Sequence, residues 1–220
     1  MGTPHTVIVC LPAGTPRQDV LAQATSILAS HRFTHAGAMP HFTITGRRAQ
    51  ALIQPWKGTA AGGPIRLLDL AGMRTRARHA ADTRWQIWRQ AVAGTPNARP
   101  FWHYAQRHHD QPDRYPRQRA QQDYLSQPRV LAMTAHNAVP GQPCPLPTEQ
   151  LEALQAGAQA YTTLGWLQAV PADAVCTTTD WWTPATARLT DVTAYLHHTN
   201  RHLDHTHRDA VLLALALPIA

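Results

Sequence analysis

Thr6-Val7-Ile8-Val9-Cys10-Leu11 is apolar at every position after the first, so both of its alternating faces are apolar. A strand of that kind is covered above and below, which places it in the middle of a sheet. A second stretch reads the same way at the other end of the chain: Ala210-Val211-Leu212-Leu213-Ala214-Leu215-Ala216-Leu217. Two central strands drawn from opposite ends are expected to lie side by side. Everything between them must then supply the helices that cover the sheet and the strands that flank it.

Working outward, Thr15-Pro16-Arg17-Gln18 has the pattern of a helix start, with Thr15 as cap and Pro16 at the first helical position. Val20, Leu21, Ala24, Ile27 and Leu28 follow at helical spacing, and the helix should end near His31. Residues 41–45 and 65–70 read as strands, and a long helix is expected over about 71–93. Within it Met73, Ala77, Ala80, Ala81, Ile87, Trp88, Ala91 and Val92 share one side, with Trp85 at the margin and Arg84 inside the apolar arc. Residues 129–134 read as a strand, Pro147-Thr148-Glu149 as the start of a helix to about Tyr161, and 174–178 as a further strand. Thr190 is placed as the cap of a helix over 191–204. The order is β-α-β-β-α, an irregular stretch, then β-α-β-α-β. It predicts an α+β fold in a single domain, residues 1–220: a central, mostly antiparallel sheet with helices packed on it, ferredoxin-like in its finer arrangement. An irregular Arg-rich insertion with several prolines and short helical pieces is expected at about 94–128, and a loop at about 136–147.

Composition narrows the function classes. A chain of 220 residues, 44% hydrophobic, can bury one sizeable core or two small ones. Its longest apolar run, from Ala210 to Ala220, falls short of the roughly 20 residues a membrane helix needs, so no membrane partner is expected. The start has no basic region before its apolar run and predicts no signal peptide. Met1-Gly2-Thr3-Pro4-His5-Thr6 fits an N-myristoylation pattern, but the pattern is short and common. Cys10, Cys144 and Cys176 are odd in number and widely spaced, which predicts neither a disulfide framework nor a cysteine zinc site, and points to the cytoplasm. No GxSxG, P-loop or GxGxxG motif is present, and no carboxylates are paired for glycosidase chemistry.

Two features remain. The first is charge. Between Arg66 and Arg129 there are twelve arginines against five aspartates, while the rest of the chain has eight basic and eight acidic residues. The whole net charge of +7 therefore lies in the middle. Aromatics are interleaved with it, at Trp85 and Trp88, at Phe101, Trp102 and Tyr104, and at Tyr115. Arginine neutralises phosphates and aromatic rings stack on unpaired bases, so nucleic acid or another polyanion, or an acidic protein surface, is the expected partner. The candidate contacts are Arg78, Arg89, Arg107, Arg114, Arg117 and Arg119; a merely solvated arginine face competes evenly with this reading. The second feature is histidine. His198, His202 and His205 span about 60° of one helix surface, a spacing that can bind zinc or nickel, and Asp191 projects in nearly the same direction. There is no HExxH, and a polar helix end rich in imidazoles is the simpler account. His108-His109-Asp110, and His35 with His41, are looser pairs. The expectation is a non-enzymatic binding protein without a cofactor. The alternatives are a metal-dependent hydrolase at the histidine stripe, or an inhibitor that covers a host protein by surface contact.

Several stretches resemble an uncharacterised protein family of actinobacteria and their phages. Val7 to Pro16 is similar to its opening strand and "LPAGTP" turn, and Phe42-Thr43-Ile44-Thr45-Gly46-Arg47-Arg48 to its "IGGRW" segment. Gln121 to Pro128 resembles a "YxxQP" stretch, Val170 to Trp182 a "DGxW" hairpin, and Tyr195 to Asp204 its C-terminal helix. The resemblance implies a phage or mobile-element setting and no particular activity. Where the family pattern ends in "DCHI" this chain has Ala216-Leu217-Pro218-Ile219, without the Asp and His suited to acid–base or metal work, and a double glycine has become Thr45-Gly46.

Overall fold

A computed structural model describes residues 5–46 and 49–218. The first four residues of the myristoylation-like pattern, the Arg47-Arg48 pair and Ile219 lie outside them. The elements, in chain order, are β1 (Thr6–Leu11), α1 (Val20–Ser30), β2 (Gly37–Ala38), β3 (Phe42–Thr43), β4 (Thr59–Ala60) and β5 (Gly62–Pro64). Next come α2 (Leu70–Ala91), α3 (Phe101–Asp110), α4 (Arg117–Leu125), α5 (Pro128–Asn137), α6 (Leu151–Gln155) and α7 (Ala158–Gln168). Last are β6 (Ala174–Cys176), β7 (Trp181–Trp182), α8 (Leu189–His205) and β8 (Val211–Ala216). The fold is α+β, a mixed sheet packed with helices. By their contacts the residues form two compact units: a sheet unit from the segment ending at Ala77 and the segment starting at Trp166, and a helical unit, Arg78–Gly165. Among the described residues no helix is long and apolar enough to cross a membrane.

The sheet unit is organised by the two apolar stretches. β1 and β8 pair antiparallel along their whole length, from Thr6 opposite Ala216 to Leu11 opposite Val211. Every residue from Val7 to Leu11 and from Val211 to Leu215 is buried, as the two-faced apolar pattern requires. On its other side β1 pairs parallel with β6, and β6 turns back antiparallel into β7, giving the order β2-β8-β1-β6-β7. Four of the five pairings are antiparallel. The adjacency of first and last strands and the hairpin between helices are those of a ferredoxin-like sheet. The hairpin docks on β1 by its first arm, so β1 and β6 are direct parallel neighbours instead of being split by an intervening strand. β2 and β5 share the outer edge of β8, β2 opposite Leu215 and Ala216, β5 opposite Val211 to Leu213.

β5 can reach that edge because it is Gly62-Gly63-Pro64. A Cβ on Gly62 would lie 2.1 Å from the Leu212 carbonyl oxygen and 2.9 Å from Leu213 Cα. Both are backbone atoms of the central strand, so no side chain can swing aside. Gly62→Ala is expected to destabilise the fold by about 3 kcal/mol, read as a lower midpoint in a urea titration. The apolar Ile65-Arg66-Leu67 that follows forms a 3-10 turn, not the strand its composition suggests; the sheet edge is already filled by the glycines.

Helix α1 buries Val20, Ala24, Ile27 and Leu28 against β1 and β8. Leu21 leaves that stripe and is 42% exposed. The helix starts at Val20, four residues later than its capping pattern suggests, because the Thr15 hydroxyl donates to the Pro12 carbonyl at 2.8 Å and closes the turn after β1. α8 buries Tyr195, Leu196, Thr199, Asn200 and Leu203 on one side. Asn200 is fully employed: its Nδ2 donates to the Leu167 and Leu196 carbonyls, and its Oδ1 accepts from Arg74 Nη2 at 2.7 Å. Arg74 also bonds Asp204 at 2.8 Å and lies 4.7 Å over the Trp166 ring. The stripe is thus a docked face whose one buried amide is satisfied.

In the helical unit the short helical pieces expected within 94–128 are α3 and α4. Pro100 and Pro116 sit immediately before α3 and α4, so the prolines that look like breakers precede helix starts. Pro128 at the first position of α5 does the same for Val130 to Asn137, which is helical and not a strand; Val130 and Met133 are its buried pair. The helix expected to run to Tyr161 is divided, since Gly157 takes a φ of +106° and separates α6 from α7.

Burial pushes the thiols of Cys10 and Cys176 up to about 12. Cys144 is half-buried, and all three are free. At pH 8 in native buffer one thiol is expected to react with an aromatic disulfide reagent, and three in denaturant.

Candidate polyanion corner and histidine helix

The fold divides the charge that is concentrated in the sequence. Arg66, Arg74 and Arg76 fall in the sheet unit and are neutralised there, by Asp209, Asp204 and Asp69 respectively. The helical unit keeps nine arginines and six carboxylates. Among the described residues none of those nine arginines forms an ion pair with a carboxylate, whereas the pairs of Arg66, Arg74 and Arg76 lie in the sheet unit.

All six candidate arginines are exposed. The structure brings four of them to one corner, the turn between α3 and α4. Tyr115 is the centre of that corner. Its ring is 1% exposed, and its hydroxyl donates to Asp123 at 2.7 Å. The Arg107 guanidinium lies 4.2 Å and that of Arg119 6.0 Å from the ring centroid, so helices α3 and α4 each bring one cation to the same ring. Arg114 precedes Tyr115, and Arg117 opens α4; neither side chain has a hydrogen-bond or ion-pair partner among the described residues. The first turn of α4 carries no acidic residue. Cations at the positive end of a helix oppose its stability and add to the local positive potential. Arg78 and Arg89 sit on α2, and no hydrogen bond, ion pair or ring contact joins them to this corner; Arg89 lies over Trp85 at 5.6 Å. Arg99 is a seventh exposed arginine, outside the six that the sequence pattern singles out; its Nη1 is 2.8 Å from His103 Nε2. Arg84, inside the apolar arc, is half-buried.

The interleaved aromatics belong to the packing. Trp88 is buried, Trp85 Nε1 donates to the Leu154 carbonyl at 3.1 Å, and Trp102 Nε1 donates to Glu152 at 2.9 Å. Only Phe101 is open, at 37%, edge-on to Tyr124. The corner therefore offers guanidinium groups and a helix N-terminus, with little ring surface for a base.

In the sheet unit the three stripe histidines lie on the outward side of α8, His198 and His205 exposed and His202 half-buried. Trp182 of β7 meets His198 and His202 edge-on, each at 4.8 Å between centroids. His205 Nδ1 is 2.7 Å from the Arg201 carbonyl. Among the described residues no three His, Cys, Asp or Glu side chains are grouped so as to hold a metal ion. The zinc or nickel weighed as an alternative at His198, His202 and His205 therefore has no assembled ligand set there: the helical spacing is right, but the Trp182 ring packs against two of the imidazoles and a backbone carbonyl engages the third. Burial and the neighbouring His198 hold His202 below its ordinary value. The Thr179 and Thr177 hydroxyls, with His202 and His198 nearby, hold Asp180 below the usual carboxylate range. His108 Nδ1 is 2.9 Å from the Tyr115 carbonyl, which ties α3 to the corner, and His41 Nε2 is 2.9 Å from the Val170 carbonyl.

No family model, curated protein or solved structure matches the chain. The resemblance to the actinobacterial and phage family rests on its quoted motifs alone.

Proposed function

We propose that this protein is a non-enzymatic binder of a phosphate polyanion, nucleic acid in chemical class, through the α3–α4 corner. The observation that supports the reading is the contrast between the units. Arg66, Arg74 and Arg76 each have a carboxylate, whereas Arg107, Arg114, Arg117 and Arg119 have none and stand beside a helix N-terminus. Exposed cations without ion-pair partners are a footprint for phosphate, here with a net charge of +1 over residues 107–123, where Asp110, Asp113 and Asp123 offset three of the four arginines. Because Tyr115 is buried under its arginines, binding is to backbone and not to bases, and should vary little with sequence. The free thiols suit a reducing compartment such as the cytoplasm. The family resemblance adds a phage or mobile-element setting.

The test is fluorescence anisotropy with short single- and double-stranded DNA and RNA. Four phosphate contacts imply that affinity falls by about 50- to 150-fold between 50 and 200 mM salt. Binding that ignores salt, or no binding at 50 mM, would overturn the reading.

A further inference from the structure

In the sheet unit a cleft of about 400 Å³ opens between β7 and the start of α8. Its walls include Trp181, Trp182, Tyr195, His198 and Asp191. The volume lies within the range of small-molecule sites. The aromatic walls are held in place before any ligand arrives. On the opposite face of β7 the Trp181 ring stacks on Phe33 with centroids 4.4 Å apart and planes 10° apart, which anchors the strand that carries Trp182. Trp182 is braced by His198 and His202, and the Tyr195 hydroxyl donates to the Ala172 carbonyl at 2.8 Å. The Thr186 hydroxyl donates to Asp191 Oδ2 and fixes the carboxylate at the wall.

The lining has one carboxylate and no lysine or arginine. Aromatic faces attract cations through their quadrupoles, and a carboxylate adds full charge complementarity. A neutral apolar ligand has no use for the carboxylate, and an anion would meet it unfavourably. We propose that this cleft binds an organic cation, a quaternary or methylated ammonium group, between Trp182, Tyr195 and Asp191. Trp182 supplies ring surface and Asp191 the countercharge. The site belongs to the sheet unit and prefers a ligand of opposite sign to the one proposed for the α3–α4 corner.

The test uses choline and its neutral isostere 3,3-dimethylbutan-1-ol, at pH 8 where an ordinary imidazole is uncharged. The indole N–H signals of Trp181 and Trp182 are followed by NMR. Trp56, 65% exposed with Lys57 over its ring, is the internal control. Choline is expected to shift the Trp182 signal saturably, to move that of Trp181 on the opposite face of β7 less, and to leave Trp56 unmoved, with the isostere at least ~10-fold weaker. Asp191→Asn is expected to weaken choline ~10-fold, and Trp182→Leu to do the same, each with an unchanged far-UV spectrum. Equal binding of the two probes would overturn the proposal, as would an Asp191→Asn protein that binds as before. A choline titration to about 100 mM without saturation would do so as well, since such a Kd lies beyond specific recognition.

Discussion

Replacing Arg114, Arg117 and Arg119 together by Glu is expected to reduce polyanion affinity by at least ~50-fold at low salt, to the point where binding is not seen. The change removes three cations and puts three anions where the ligand's phosphates would lie. It also takes the positive potential away from the start of α4, the nine-residue helix that Arg117 opens. The variant should fold. All three residues are exposed and none has a carboxylate partner to orphan. Glutamates at 117 and 119 complement the helix dipole, each by about 0.3–1 kcal/mol, so the thermal midpoint should hold or rise. The variant gives up the Arg119 cation over Tyr115, which at 6.0 Å is the more distant of the two on that ring. Abolished binding with retained stability separates a binding surface from a structural one. Unchanged affinity would sink the assignment of the corner.

Leu213→Ala should have the largest effect on stability, about 2–5 kcal/mol. Leu213 is fully buried, lies opposite Val9 on one side and Gly62 on the other, and belongs to the cluster formed with Val7, Leu11, Ala24 and Leu28. Glycine on one flank cannot reach in to fill the space, and β1 is fixed by pairing on both edges, so the cavity should collapse little. Leu131→Ala is the control. That side chain is 53% exposed on α5 and should change stability by no more than about 0.5 kcal/mol. A urea titration measures both. A cost below about 1 kcal/mol for Leu213→Ala would contradict the central place given to β8.

The sheet was legible in the sequence because its signal is local. Two apolar runs of strand length, the first rich in β-branched residues (Val7, Ile8, Val9), favour central strands, and Val20, Ala24, Ile27 and Leu28 carry a helical period that no strand shares. The helical unit was legible only in part. α2 declared itself by length, whereas Pro100, Pro116 and Pro128 look like breakers until it is known that helices begin after or at them. The valine, leucine and methionine of 129–134 suit either period, and a short apolar run does not choose between strand and helix. The candidate site divides in the same way. Exposure of the six arginines follows from their charge. Which of them meet at Tyr115, and which arginines are matched by Asp69, Asp204 and Asp209, depends on long-range pairings such as Arg74 with Asp204, 130 positions apart. The aromatic interleaving misled for the same reason: spacing along the chain does not say that Trp85 and Trp102 have partners inside. The histidine spacing on α8 was correct, but Trp182, which braces two of those rings, comes from a different element.

The most direct measurement is to titrate the isotope-labelled protein with a short single-stranded DNA at 50 mM salt and map which backbone and arginine side-chain signals move. The expected result is a contiguous set of shifts at Arg107, Arg114, Arg117, Arg119 and the amides that open α4, reversed by raising the salt. Shifts that avoid residues 107–119 would contradict a polyanion site at this corner, whatever else in the molecule binds.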